Sequence, residues 1–173
     1  MYIGMDHFAK PGDELAVAQR KGQLQRNFQG YATHGNCDLL AFGVSSISSI
    51  DNTFMQNVKD IPSYTKALDI GHAPIFKGLT LTDDDLLRRD VINQLICHSE
   101  LDFNTIERQH NIVFTRYFDK ALTELQPMMN DQLVIRTQAG LQVSDDGRLL
   151  IRRICMAFDA YLEAQPIRYS KII

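Results

Sequence analysis

The chain has 173 residues, 45% of them hydrophobic and 23% charged, with a formal net charge of −3. Such a chain holds one ordinary domain, or a small domain with an appended segment, around a real core. The slightly acidic balance argues against a general polyanion binder, and the sequence lacks the run of about 18 apolar residues that would span a membrane.

In chain order, residues 2 to 9 open as a short strand with Ile3 and Met5, broken by Pro11-Gly12-Asp13. Asp13 then caps a helix expected to run through roughly Gln25, with Leu15, Ala18 and Leu24 on its apolar side. Residues 38 to 50, rich in Val, Ile and Leu, predict a buried strand turned at Asp51-Asn52, with Thr53–Asn57 pairing back. A helix is expected over Ile61 to Asp69, with Pro62 in its first turn, and a further strand over Ile75 to Leu81.

From Thr82 the pattern turns helical. Thr82 caps a helix whose first turn, Asp83-Asp84-Asp85, places negative charge at the positive end of the dipole, and Leu87, Val91 and Leu95 form its buried face. Asn104 to Glu107 has capping-box spacing. Phe114, Tyr117, Phe118, Ala121, Leu122 and Leu125 predict one amphipathic helix ended by Pro127. Leu133, Ile135, Leu141 and Val143 predict a hairpin, and a last helix is expected from Asp145 to Glu163, burying Leu150, Ile154, Ala157, Phe158 and Tyr161. Three helices, a hairpin and a closing helix are the order of a winged helix.

The stretch least like an ordinary core is Arg26-Asn27-Phe28-Gln29-Gly30-Tyr31, followed by Asp38 to Ser48 with its glycine and serines. Small residues there let a backbone approach something flat or bulky. With Tyr2 to Pro11 and Gly147 to Arg152, these strings resemble the carboxy-terminal part of the bacterial oxygen-independent coproporphyrinogen III oxidases, over essentially the whole chain and in order. That family belongs to the radical S-adenosylmethionine enzymes of haem synthesis. The resemblance implies a complete enzyme that decarboxylates coproporphyrinogen III, through a 5′-deoxyadenosyl radical, with S-adenosylmethionine and a 4Fe-4S cluster as cofactors.

Cys37, Cys97 and Cys155 lie 60 and 58 residues apart, whereas a radical-generating cluster needs three thiolates from one short loop. No cofactor is therefore expected on this chain alone, which reads as the end of such an enzyme or a shortened relative, inactive by itself. Dispersed, odd-numbered cysteines read as reduced thiols, and no secretory signal precedes them, so a cytoplasmic protein is expected. His34 with Cys37, and Cys97-His98, have no second pair at zinc spacing, so no metal site is expected.

Read from the residues, Ile47 is a strand-core residue and Phe28 an aromatic plug; the resemblance implies that both pack on S-adenosylmethionine. Arg26 is a candidate for a substrate carboxylate, beside Arg20 and Lys21, because guanidinium pairs with carboxylate in bidentate fashion. Asp6-His7 is a candidate for proton transfer or propionate binding, although neighbours on a strand point to opposite faces. Arg88-Arg89 and Arg152-Arg153 are expected to bridge to carboxylates of a neighbouring domain.

The expected fold is α+β and mostly helical: a segment over 1 to 55 that packs on and covers a radical S-adenosylmethionine barrel, then a winged-helix-like domain over 56 to 173. The expected partners are that cluster-bearing barrel, coproporphyrinogen III and a second copy of the chain through an exposed seam of Phe28, Tyr31, Phe42 and Ile47. The competing reading is a free-standing winged-helix module for nucleic acid or a protein. Arg116 and Lys120 alternate with Asp119 and Glu124 on its third helix, which disfavours phosphate tracking.

Overall fold

The computed structural model describes residues 1–35 and 37–162 and is a mixed α/β protein. β1 (Tyr2–Gly4) and β2 (His7–Phe8) form a tight hairpin turned by Met5 at φ 55°. α1 (Glu14–Arg20) is capped by the Asp13 carboxylate, which accepts from the Leu15 N–H. It ends five residues before Gln25, because Gly22 takes φ 65° and turns the chain so that Leu24 is fully buried. A hairpin follows, β3 (Gln25–Asn27) with β4 (Gly30–Ala32), which periodicity did not mark.

Only the end of the 38 to 50 stretch is a strand, β5 (Ile47–Ile50), joined by one isolated bridge from Leu39 to Ser49. Gly43 at φ 97° and Ser45 at φ 56° interrupt the rest, so Phe42 is 80% exposed instead of buried. β5, β6 (Thr53–Asn57) and, beyond α2 (Ile61–Asp69), β7 (Ile75–Thr80) form an antiparallel sheet in that order. A division at residue 55 falls inside β6.

α3 (Asp83–His98) begins with a reciprocal cap. The Asp85 N–H donates to Thr82 Oγ1 while Asp85 Oδ2 accepts from the Thr82 N–H. β8 (Glu100–Asp102) and α4 (Phe103–His110) follow. α4 is capped by Asp102 instead of Asn104, and Glu107 reaches forward to accept from the Phe114 N–H at 2.7 Å. The expected single helix is two short ones, α5 (Phe114–Tyr117) and α6 (Asp119–Glu124), and a further helix, α7 (Gln126–Asn130), follows where an end was expected. Phe118 leaves helical geometry at φ −105°, ψ 28°, and Pro127 lies in the first turn of α7 rather than ending anything.

β9 (Val134–Arg136) and β10 (Gly140–Val143) form the expected hairpin, and β8 joins it to give a sheet in the order β8-β10-β9. The closing helix is also broken, into α8 (Asp145–Arg148) and α9 (Ile151–Met156), at Leu150 with φ −106° and ψ 15°. Ile154 and Phe158 are buried as expected, Ala157 partly so; Leu150 and Tyr161 are exposed, and Ile151 and Cys155 fill the core instead. The expected end at Glu163 lies outside the described residues.

Two apolar clusters share α3. Leu87, Val91 and Leu95 face the larger one, where Phe114 stacks on Phe103 with centroids 4.1 Å apart and leans on Phe118 at 4.8 Å. Cys97 faces the smaller one, with Ile3, Ala16, Ala18 and Leu24, and Ile96 packs against both. The Asn93 amide donates to Gln25 Oε1 at 2.7 Å. α3 is thus the spine on which β3 is seated.

Candidate functional site

The β3–β4 hairpin carries Arg26 and, at its two-residue tip, Phe28. The tip is set locally: Asn27 Oδ1 accepts from the Gln29 N–H at 2.8 Å, and Gly30 takes φ 126°, where only glycine is unstrained.

On one side of this hairpin stands Tyr31. Its hydroxyl donates to the Ile96 carbonyl at 3.3 Å, and a Cβ added to Gly4 would strike that hydroxyl. The Arg26 guanidinium lies over the Tyr31 ring at 5.1 Å, and the His7 ring meets it edge-on at 5.2 Å. Burial pushes the Tyr31 phenol up to about 12 against the opposing charge of Arg26. Arg26 and His7 therefore do converge, around one tyrosine. Arg26 Nη1 is buried with no hydrogen-bond partner among the described residues. His7 Nδ1 sits 2.9 Å from Asp6 Oδ1 but outside hydrogen-bond geometry. That contact exists because Asp6 lies in the β1–β2 turn rather than on a strand, which reverses the expectation that the two point apart.

On the other side stands Phe54. Phe28 meets its ring edge to face, with centroids 4.9 Å apart and planes at 88°. Phe54 pairs with Ser49 across β5–β6, and Ile47 with Gln56, so Phe54, Ser49, Gln56 and Ile47 project from one face of the sheet. Phe28 and Ile47, 19 residues apart in the chain, are brought to the same sheet face. Sequence reasoning placed Phe54 on a hairpin arm but did not see that it joins them; only the strand register reveals this.

Phe28 is 50% exposed and Ile47 partly so, whereas Tyr31, expected at an open seam, is largely engaged. Arg88 does not await another domain: it donates to Asp84 Oδ2 at 2.8 Å and to the Phe158 carbonyl at 2.9 Å. A separate cleft of about 560 Å³ runs between α1 and the turn after α3, lined by Arg20, His98, Glu100 and Arg148 among others. Phe28, Ile47, Arg26 and His7 are not in its wall.

The cysteines do not suit a cluster. Cys97 and Cys155 are buried, which pushes both thiols up to about 12, and Cys37 is exposed elsewhere. Among the described residues no group of three His, Cys, Asp or Glu side chains could hold a metal ion, and no helix is long and apolar enough to cross a membrane. The face beneath Phe28 is mixed, with Phe54 and Ile47 apolar and Ser49 and Gln56 polar, and its chemistry fits an adenosyl group, whose sites join apolar surface to a few polar anchors.

Comparison with known proteins gives a consistent result. Residues 81–150 match the HemN C-terminal domain family. The chain is 52% identical over 99% of its length to the oxygen-independent coproporphyrinogen III oxidase of Salmonella typhimurium, and 49% identical to that of Escherichia coli, in each case covering 38% of the relative. It is 47% identical to that of Thermostichus vulcanus, of which it covers 54%. A solved structure of the Escherichia coli protein, described as a radical SAM enzyme, superposes with a TM-score of 0.90 at 51% identity, over 94% of this chain and 37% of that one. The chain thus spans well under half the length of the relatives first matched.

Proposed function

We propose that this chain, similar over nearly its whole length to part of the oxygen-independent coproporphyrinogen III oxidases, is the carboxy-terminal part of such an enzyme and supplies one wall of its S-adenosylmethionine site. Residues 1–80 close over a cluster-bearing barrel on a separate stretch of polypeptide, and Phe28 and Ile47 pack on the cofactor. When bound, S-adenosylmethionine and the cluster supply the 5′-deoxyadenosyl radical that starts decarboxylation of coproporphyrinogen III. The observation that carries this reading is the placement of Phe28 and Ile47 on one sheet face through Phe54.

The chain's other candidates take supporting roles. Arg26, half-buried over the Tyr31 ring, offers its guanidinium to a substrate carboxylate, and His7 lies on the same tyrosine. Residues 82–158 form the winged-helix-like part, a reading supported by the order α3, β8, α4, α5–α7, β9, β10 with a three-stranded sheet. It anchors the wall through α3. The division between the covering segment and this part then falls at Leu81, after β7, rather than at residue 55. Left alone, exposed Phe28 and Phe42 favour pairing of two copies.

The test is to mix this chain with the separately produced cluster-bearing barrel under anaerobic conditions and assay protoporphyrinogen formation. Activity that neither piece has alone is the expected result. Failure of the pieces to associate or react would favour the free-standing binding module.

A further inference from the structure

We infer that Phe54 is a positioning residue for this site, holding Phe28 at the angle from which it and Ile47 face one ligand. The inference rests on the proposed S-adenosylmethionine wall. Phe28 occupies a two-residue hairpin tip, where neither cross-strand pairing nor full burial fixes its side chain. Its ring meets Phe54 at 88°, the geometry in which the positive edge of one ring lies on the negative face of the other. The tip's backbone is held by Asn27 and Gly30, but neither touches the direction of the Phe28 ring.

Phe54 is itself well placed to be rigid. It sits in the central strand of the three, paired with Ser49 on one side and Leu79 on the other. Ser49 is small, which leaves room above β5 beside Phe54, and Ile47 lies diagonally across, about 7–8 Å away in such a ladder. Leu79, on the same face and half exposed, continues the apolar surface on the far side. A hairpin tip and the central strand of a sheet, from different parts of the chain, thus meet through a single ring pair. Fixing a side chain before a ligand arrives removes the ordering cost from binding, so loss of Phe54 shows in affinity even though Phe28 remains.

The experiment titrates S-adenosylmethionine into the anaerobic complex of this chain with the cluster-bearing barrel, using Phe28→Ala, Phe54→Ala, the double variant, Phe54→Leu and Phe54→Tyr. An edge-to-face pair corresponds to roughly a 2- to 10-fold change in affinity. Phe54→Ala is expected to weaken binding by that factor while leaving association with the barrel unchanged. On the Phe28→Ala background it should add nothing, because the residue it positions is gone. Phe54→Tyr, which keeps the ring, should bind as wild type, and Phe54→Leu, which keeps apolar volume without it, should resemble Phe54→Ala.

An additive loss in the double variant, or no loss in Phe54→Ala while Phe28→Ala is impaired, overturns the positioning role and leaves the wall standing. No loss in Phe28→Ala overturns the wall itself, and the positioning role with it.

Discussion

The hydroxyl of Tyr31 donates to the carbonyl of Ile96, 65 residues away, and so ties the hairpin that bears Phe28 to the last turn of α3. The bond sits where the two apolar clusters meet. Tyr31→Phe should therefore lower stability by about 1 kcal/mol, the ordinary net worth of such a bond, read from the urea midpoint of unfolding. Gly4→Ala acts on the same place from the other side, since its Cβ would strike the Tyr31 hydroxyl. It should cost about 1–3 kcal/mol through overpacking.

Two glycines in the carboxy-terminal part leave no such room for relief. A Cβ on Gly140 would meet the Leu101 backbone carbonyl, and one on Gly147 that of Leu133. Both belong to packed backbone, which cannot rotate aside. Gly140→Ala and Gly147→Ala should each cost on the order of 3 kcal/mol, whereas Gly12→Ala, which meets nothing within 4 Å, should be close to neutral. Thermal unfolding of the three variants separates these outcomes.

Acid should loosen the start of α3. For Asp84, burial pulls upward but is outweighed by hydrogen bonds from Arg88 and Tyr117; for Asp85, hydrogen bonds from Thr82 and then Tyr161 dominate. Both carboxyls lie below their ordinary 3.8 in the fold. Folding thus favours their charged forms, so this stabilisation is complete above the unfolded value and is lost as pH falls through the folded ones. Burial likewise holds His98 below its ordinary 6.5, so its contribution begins to fade as pH drops past that value. Unfolding midpoints should fall first as pH drops past 6.5, through His98, and again below 3.8, through the two aspartates. Asp85→Asn should lower the midpoint at pH 7 by a cap's worth, about 1 kcal/mol, and flatten the acid end of the curve.

The thiols should divide by burial. Cys37 is exposed, while burial pushes Cys97 and Cys155 up to about 12. Only the thiolate is alkylated, so iodoacetamide at pH 8 should label one site in the folded chain and three in denaturant, as mass spectrometry would show.

The parts of the fold legible in the sequence are those written in local chemistry. The Thr82 cap, the triple aspartate and the Leu87, Val91, Leu95 stripe sit together within about four helical turns, and α3 follows them. The breaks at Phe118 and Leu150 were not legible, because buried residues keep helical spacing across them. β8 was missed for lack of length, with three residues too few to alternate visibly. For the site, Phe28 and Ile47 came from family resemblance, and the ring that joins them came only from register. Asp6 and His7 were misjudged because a strand was assumed where the chain turns.

The most direct measurement of the central claim is S-adenosylmethionine affinity by anaerobic titration, for the cluster-bearing barrel alone and with this chain added in excess. The account predicts at least about tenfold tighter binding on addition, equivalent to about 1.4 kcal/mol, and loss of that gain with Phe28→Ala combined with Ile47→Ala. An affinity that does not change when the chain is added would contradict it.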